Sequence, residues 1–341
     1  MTLGNLQSRP RAGLSRPTPL EQLERLGQIN TGARLWVKRD DMQGIAFGGN
    51  KVRQLDHYFG EALAKGADTV LITGAVQSNF CRLAAAFAAK LGLDCHIQQE
   101  ERVPSNDPMY RKSGNVLVSR MLGATLHSFG AGEDEAGADA ELERIADGLR
   151  QQGRSPYVIH LAPGHPPVGA LGYIDAAVEL QAQMAEMRIR IDHIVVASGS
   201  GATHGGLLFG LRAIGIDTPV TGICVRRSAD LQRPRLVARC QQIADLLQTD
   251  NPVSPEDVVV NDRFLGPGYG QLNLPTERAI ALAAETEALM LDPVYTGKTM
   301  AGALAVAGNR PADENVLFFH TGGTPAIFAY QNKMFPEGAD L

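Results

Sequence analysis

The 341-residue chain is 44% hydrophobic, with 37 glycines and 19 prolines, and its 32 Lys and Arg against 37 Asp and Glu leave a formal charge of −5. At about 150 residues per domain this suggests two domains with ample apolar material, and the absence of long charge blocks argues against a nucleic-acid or anionic-membrane binder. Cys81, Cys95, Cys224 and Cys240 form no CxxC pair and no cluster with histidines, which argues against a zinc site or disulfide framework and makes a reducing cytoplasm the expected home.

Along the chain, Met1 to Pro19 carries arginines but no apolar core, and no later apolar stretch is long enough to span a bilayer, so neither secretion nor membrane insertion is expected. Short Val- and Ile-rich runs then alternate with segments of helical period. That alternation predicts an α/β fold, a mostly parallel sheet with helices on both faces. Strands are predicted at 35–38, 69–73, 95–98, 125–128, 157–160, 193–197, 220–225, 258–261 and 316–320. Val52, Leu55, Phe59 and Leu63 recur at helical spacing, as do Ile280, Ala284, Glu287 and Leu291. The stretch 101–112, with Pro104, Ser105, Asn106, Asp107 and Pro108, predicts a long loop. No repeat, low-complexity segment or obvious linker divides the chain.

Four places could carry chemistry. Gly48-Gly49-Asn50-Lys51 places a lysine at a predicted helix start, where the helix dipole disfavours the ammonium form and helps keep a neutral, nucleophilic amine; a solvated surface lysine is the plainer reading. Gln77-Ser78-Asn79 opens the alanine-rich helix predicted over 80–91. Ser78 suits an N-cap, and the same geometry presents a hydroxyl, an amide and free N–H groups at a strand's carboxyl end, fit for a substrate carboxylate. Ser198-Gly199-Ser200-Gly201-Ala202-Thr203 can curl its N–H groups around an anion ahead of a helix, while His204 suits packing in the first turn. This cup lacks the Gly-Lys-Ser/Thr ending of a nucleotide P-loop and the three-glycine dinucleotide fingerprint. Finally, Asp292-Pro293-Val294-Tyr295-Thr296-Gly297-Lys298 and His320-Thr321-Gly322-Gly323-Thr324-Pro325 mark turns, the second leaving a strand with Pro325 suited to a first helical position.

Alone, each has a structural explanation. Read together, these places are expected at one edge of one sheet, and they fit pyridoxal phosphate: an amine for its aldehyde, a cup for its phosphate and a hydroxyl near its ring nitrogen.

The strings KRDD (38–41), GGNK (48–51), QSN (77–79), GSGATHGG (199–206), GPGYG (266–270), DPVYTGK (292–298) and HTGG (320–323) run in one order across nearly the whole chain. In them the sequence resembles the fold type II pyridoxal-phosphate enzymes that include D-cysteine desulfhydrase and 1-aminocyclopropane-1-carboxylate (ACC) deaminase. The resemblance implies two open, twisted, mostly parallel sheets. A large cofactor domain would comprise residues 1–52 and 161–341, and a small domain, residues 53–160, would close over substrate. It implies Lys51 as the Schiff-base lysine, with Asn50, Asn79, Gly199, Ser200, Gly201, Ala202, Thr203 and Thr321 around the cofactor. Ser78 would bind the substrate carboxylate or move protons, Tyr269 and Tyr295 would face the reacting carbons, and Gln77, Phe80, His165 and Thr296 would complete the substrate site. No metal is implied, and the expected state is a homodimer acting on a small amino acid.

ACC deaminases resemble this sequence but carry glutamate at the position of Thr296 and leucine at that of Thr321. Two neutral hydroxyls make a milder electron sink, suited to β-elimination of a good leaving group, and the resemblance makes D-cysteine the default substrate. L-Cysteate or another β-substituted alanine is the alternative, and ACC is disfavoured. Two departures bear on this. Phe80-Cys81 stands where desulfhydrases usually have histidine and a small residue, and Ala162-Pro163-Gly164-His165-Pro166-Pro167 replaces the usual Gly-Gly-Ser-Asn. Cys81 is expected to pack, whereas His165 could offer a proton or charge to a leaving group such as sulfonate. Outside this class, a non-catalytic phosphate- or nucleotide-binding protein would use the cup alone, and a nicotinamide-dependent oxidoreductase would need a glycine fingerprint that 74–78 does not supply.

Overall fold

The computed structural model describes residues 3–162 and 164–334, so Pro163 of the departing loop lies outside the described residues. Among the described residues there are ten strands: β1 (Leu20–Gln22), β2 (Arg34–Lys38), β3 (Thr69–Ala75), β4 (Asp94–Glu100), β5 (Thr125–Phe129), β6 (Pro156–Ile159), β7 (His193–Ser198), β8 (Val220–Cys224), β9 (Val259–Asn261) and β10 (Asn315–Phe319). All nine predicted strands form. The addition, β1, is a three-residue edge strand that pairs antiparallel with β2, and it is too short to show a period.

The strands build two sheets. One has six strands in the order β1-β2-β10-β7-β8-β9, and the other four parallel strands in the order β5-β4-β3-β6. The single sheet edge expected from the alternation is therefore two facing edges: the segment bearing Ser78 leaves β3 in the four-stranded sheet, while 198–203 and Thr321 leave β7 and β10 in the six-stranded one. Periodicity reports where strands are and says little about which strands pair.

Alternation along β10 shows how the larger sheet is buried on both faces. Leu317 and Phe319 pack with helices Leu171–Met187, Ala202–Ala213 and Ala229–Leu247, whereas Val316 and Phe318 pack with Leu274–Glu287 and Thr296–Gly308. Each such side chain is worth roughly 1.5–3 kcal/mol when fully buried. In the smaller sheet, Val70, Ile72, Ile97 and Ile159 face helices Lys51–Ala64 and Asn79–Leu91, and Leu71 faces Leu142 and Ala146 behind. All four cysteines are buried and free. Part of the expected long loop is helical: Asp107 caps Pro108–Lys112 by accepting from the Met109 N–H at 2.8 Å, with Pro108 in the first turn.

A buried ionic network ties β2 to the helices behind it. Arg53 donates to Asp40 at 2.9 Å and to Glu179 at 2.7 Å, and Lys38 also pairs with Glu179. Asp40 further accepts from the hydroxyls of Thr18 at 2.8 Å and Tyr173 at 2.5 Å. Burial by itself raises the Asp40 pKa, but Arg53 and Lys38 reverse that and hold it below the ordinary value; Glu179 is lowered in the same way. Among the described residues, no helix is long and apolar enough to cross a membrane.

Asp40→Ala would leave Arg53 short of a carboxylate in the interior. The expected loss is about 3–5 kcal/mol in urea unfolding. Because both carboxylates titrate low in the folded state, the network's contribution is complete at neutral pH and fades as pH falls below the ordinary carboxylate range. Wild-type stability at pH 7, or an unaltered acid limb, would contradict this account.

Candidate active site

One cavity lies between the carboxyl edges of the two sheets. Lys51 reaches it from the start of helix Lys51–Ala64, just after Gly48 and Gly49, both in the left-handed region at φ +59° and +115°. Glycine is required here by contact as well as by backbone. A Cβ on Gly49 would sit 3.0 Å from the Thr321 carbonyl oxygen, and one on Gly322 would sit 2.6 Å from the Gly49 Cα. The Asn50 N–H closes this junction by donating to the Thr321 carbonyl at 3.0 Å.

Lys51 Nζ faces the cavity but is surrounded by protein. It donates to Gln54 Oε1 at 3.1 Å and stands 5.2 Å from the Phe80 ring centroid, with no carboxylate partner among the described residues. Burial pushes its pKa down to about 8. Desolvation thus favours the neutral amine at a helix start, where the dipole is also expected to do so.

The cup has the expected form. Gly201 adopts φ +90° ahead of helix Ala202–Ala213, and Thr203 Oγ1 accepts from Asn50 Nδ2 at 2.8 Å and from Gln54 Nε2 at 2.7 Å. Thr203 must then direct its own hydroxyl hydrogen elsewhere. His204 is buried behind the cup, 3.2 Å from Ser198 Oγ, and burial lowers its pKa to about 4, so it is a neutral packing residue as expected.

Ser78 caps helix Asn79–Leu91, accepting from the Cys81 N–H at 3.2 Å, and Asn79 Oδ1 accepts from Asn115 Nδ2 at 2.9 Å. Cys81 packs as expected, its thiol pushed up to about 12 by burial. Opposite, the hydroxyls of Tyr269 and Tyr295 are 2.6 Å apart. Burial raises both phenol pKa values, so both stay protonated at neutral pH. Lys298 secures the loop that carries Tyr269 by donating to the carbonyls of Leu265 at 2.6 Å and Gly268 at 2.9 Å.

Lys51, Asn50, Ser78, Asn79, Phe80, the residues 199–203, Tyr269, Tyr295 and Thr321 all line this cavity. Three expected site residues do not. Gln77 is turned into the fold, donating to the Tyr110 and Ser113 carbonyls and accepting from the Asn115 N–H. Thr296 is fully buried, exchanging hydrogen bonds with Asp292 at 2.7 and 2.8 Å. His165 sits outside the wall, 3.1 Å from Asp139 and stacked on His160 with ring centroids 3.9 Å apart and planes 8° apart. Asp139, His160 and His165 bring ligand atoms within 4.8 Å of one another, but lone pairs in two parallel stacked rings do not converge on one ion.

Sequence reasoning passed over a charged wall: Glu100, Arg102, Glu135, Asp139, Arg226 and Arg235 also line the cavity. Arg102 binds Glu100 through Nε at 2.9 Å and Nη2 at 2.7 Å. Arg226, Arg227 and Arg235 converge on Glu135. The available signal was position, since Glu100 ends β4 and Arg226 follows β8 at their carboxyl ends.

Comparison with known proteins agrees with this geometry. Residues 12–322 match the family described as pyridoxal-phosphate dependent enzymes. A D-cysteine desulfhydrase of Klebsiella pneumoniae subsp. pneumoniae is 40% identical over 97% of this chain and 99% of its own. An ACC deaminase of Burkholderia vietnamiensis is 38% identical over 98% of this chain and 100% of its own. Among solved structures, an ACC deaminase homologue superposes with a TM-score of 0.85 at 33% identity, covering 96% of each chain. An O-ureido-L-serine synthase, at 18% identity and a TM-score of 0.68 over 100% of this chain and 98% of its own, shares the fold.

The cavity fits the cofactor. It offers an amine without a carboxylate partner for an aldehyde, a cup whose glycine and helix start suit a phosphate, and a Thr321 hydroxyl with no protein partner among the described residues. With Lys51 titrating about 8, capture of pyridoxal phosphate by the apoenzyme should accelerate as pH rises through about 8. Stopped-flow absorbance would show this, and a midpoint near that of an ordinary lysine would contradict the desolvated amine.

Proposed function

The chain belongs to the pyridoxal-phosphate-dependent enzyme family, and from that premise we propose that it catalyses β-elimination from a small β-substituted α-amino acid, converting D-cysteine to pyruvate, ammonia and sulfide. The carrying observation is the amine of Lys51, enclosed and without a carboxylate, sharing one cavity with Ser78, Asn79 and the Tyr269–Tyr295 hydroxyl pair.

The bound cofactor supplies an electrophilic aldehyde and a ring that stabilises negative charge at the substrate Cα. The chain's own residues do the rest. Ser78, Asn79 and the free N–H groups at the start of helix Asn79–Leu91 hold the substrate carboxylate. Lys51, with a pKa of about 8, can both accept a proton from Cα and give it up again near neutral pH. Tyr269 and Tyr295, protonated and hydrogen-bonded to each other, can donate toward a departing β-substituent. The released three-carbon enamine takes up water, giving pyruvate and ammonia. In this reading residues 53–160 close over the substrate, and the enzyme works as a homodimer in the cytoplasm, a compartment consistent with four buried free thiols.

A second reading, with sulfonate as the leaving group of L-cysteate, is favoured by Arg102. Its Nη1 has no partner among the described residues, and it shares the cavity wall with both tyrosines.

Keto-acid release by the cofactor-loaded enzyme tests both readings, with D- and L-cysteine, D- and L-cysteate, both hands of β-chloroalanine, D-serine and ACC as substrates. Pyruvate with stoichiometric sulfide from D-cysteine is expected, and Lys51→Ala should abolish it. Exclusive 2-oxobutanoate from ACC would overturn elimination. If cysteate is the better substrate, Arg102→Gln should cut its kcat/KM at least about tenfold while sparing β-chloroalanine.

A further inference from the structure

The loop before Lys51 is bent in a way that its side chains oppose. From Ala46 to Gly49 four consecutive residues take positive φ, at +40°, +67°, +59° and +115°, and the first two are alanine and phenylalanine, for which the left-handed region is unfavourable. Gly48 has no alternative, since a Cβ there would lie 2.2 Å from the Asp41 carbonyl oxygen. Phe47 is 60% exposed, which leaves it little packing of its own to hold this shape.

The shape is held from the other sheet. Arg82, one turn beyond Ser78 on helix Asn79–Leu91, is fully buried and donates through Nη1 to the Ala46 carbonyl and through Nη2 to the Gly48 carbonyl at 3.0 Å, so that its two hydrogen bonds bracket Phe47. Unlike Arg53, it has no carboxylate partner among the described residues. Its Nε is buried without a hydrogen-bond partner, and burial lowers its pKa with no neighbouring charge to raise it again. The positive end of its own helix opposes the cation further. A buried guanidinium without a counter-charge is costly where an apolar side chain could fill the space, so overall stability does not account for an arginine here. What it supplies is a two-pronged hold on a strained loop.

The same helix turn meets the lysine directly. Phe80, two residues before Arg82, places its ring centroid 5.2 Å from Lys51 Nζ. Gln54 is the hydrogen-bond partner of that amine, no charged group pairs with it among the described residues, and its lowered pKa rests on exclusion from water. Lys51 therefore keeps its character only while the loop that carries it stays against this helix.

We propose that Arg82 is a positioning residue for Lys51: by gripping the Ala46 and Gly48 carbonyls it holds the strained loop against helix Asn79–Leu91 and keeps the amine beneath the Phe80 ring. Arg82 touches neither cofactor nor substrate in this role and acts through the loop. The inference rests on the family's cofactor and is independent of which β-substituent leaves.

The test compares wild type, Arg82→Met and Arg82→Lys. Capture of pyridoxal phosphate by each apoenzyme would be followed by absorbance across pH, and amide hydrogen exchange would be followed in segment 45–50 and in helix 79–91. In Arg82→Met the pH midpoint of capture should rise by about one unit from about 8, which leaves about tenfold less neutral amine at pH 7 and slows capture there to match. The Gly48 and Gly49 N–H groups, which donate to the Ile45 and Asp40 carbonyls at 2.8 and 2.9 Å, should exchange at least about tenfold faster, while the helix keeps its protection. Arg82→Lys keeps the charge and a donor, so its midpoint and exchange should fall between the two, and it carries the test if Arg82→Met does not fold. A midpoint that stays near 8 in a folded variant, with only the unfolding transition shifted, would mark Arg82 as a structural residue; a raised midpoint with unaltered exchange in 45–50 would show that the effect bypasses the loop. Either result overturns the proposal. Neither readout uses an amino-acid substrate, so failure of the β-elimination reading would leave this test intact.

Discussion

The pairing of Arg53 with Asp40 and Glu179 is the constraint from which the site's geometry follows. Arg53 lies two residues beyond Lys51, about 200° around the helix, so a guanidinium held in the core turns the lysine the opposite way, into the cavity. The network draws on segments distant in sequence, from Thr18 through β2 to Tyr173 and Glu179 on a later helix. A buried charge without its partner is costly, so these segments can come together in few ways. The result is a division among cations. Lys38 and Arg53 take the carboxylates, while Lys51, left with an amide and an aromatic ring, becomes the amine that desolvation can tune.

The same logic explains why much of the fold was legible and parts of the site were not. Strands buried on both faces are continuous apolar runs, and β7, β8 and β10 announce themselves in this way. Cup and cap were legible because each rests on local backbone geometry, such as glycine at φ +90° or a serine one residue before a helix. Pairing of strands into two sheets is nonlocal and left no such mark. Gln77 and Ser78 are adjacent in a turn and equally polar, yet one is spent bracing residues 110–115 while the other faces the cavity. Nothing in their types separates these fates. Thr296 went the same way, because Asp292 four residues earlier captures its hydroxyl. His165 was placed by its loop, and the nearby carboxylate of Asp139 claims it.

The charged wall was missed because sequence inspection looked for short motifs, whereas this wall is assembled from the ends of β4 and β8, the start of helix Glu135–Gln151 and the first two turns of helix Ala229–Leu247. Its electrostatics complement the amine. Lys51 sits where desolvation opposes charge, and the arginines sit where shared carboxylates permit it. An anionic molecule in the cavity would meet arginines whose charge is already shared with carboxylates, without forcing Lys51 to remain protonated. Separating attraction for anions from the reactive nitrogen lets one cavity bind a carboxylate and a phosphate while keeping a nucleophile.

Rigidity completes the arrangement, and here glycine matters through contact. Gly49 and Gly322 meet backbone to backbone, so the loop before Lys51 and the loop after Thr321 move as one body. Any side chain at either position would part them, separating the amine from the hydroxyl proposed for the opposite end of the cofactor ring. Both loops belong to the six-stranded sheet, whereas Ser78 and Asn79 stand on the four-stranded one. Lys51, the cup and Thr321 are thus mutually fixed, whereas Ser78 and Asn79 are mounted on the other sheet. A relative movement of the two sheets would therefore change the grip on substrate while leaving the amine, the cup and the Thr321 hydroxyl in register with one another.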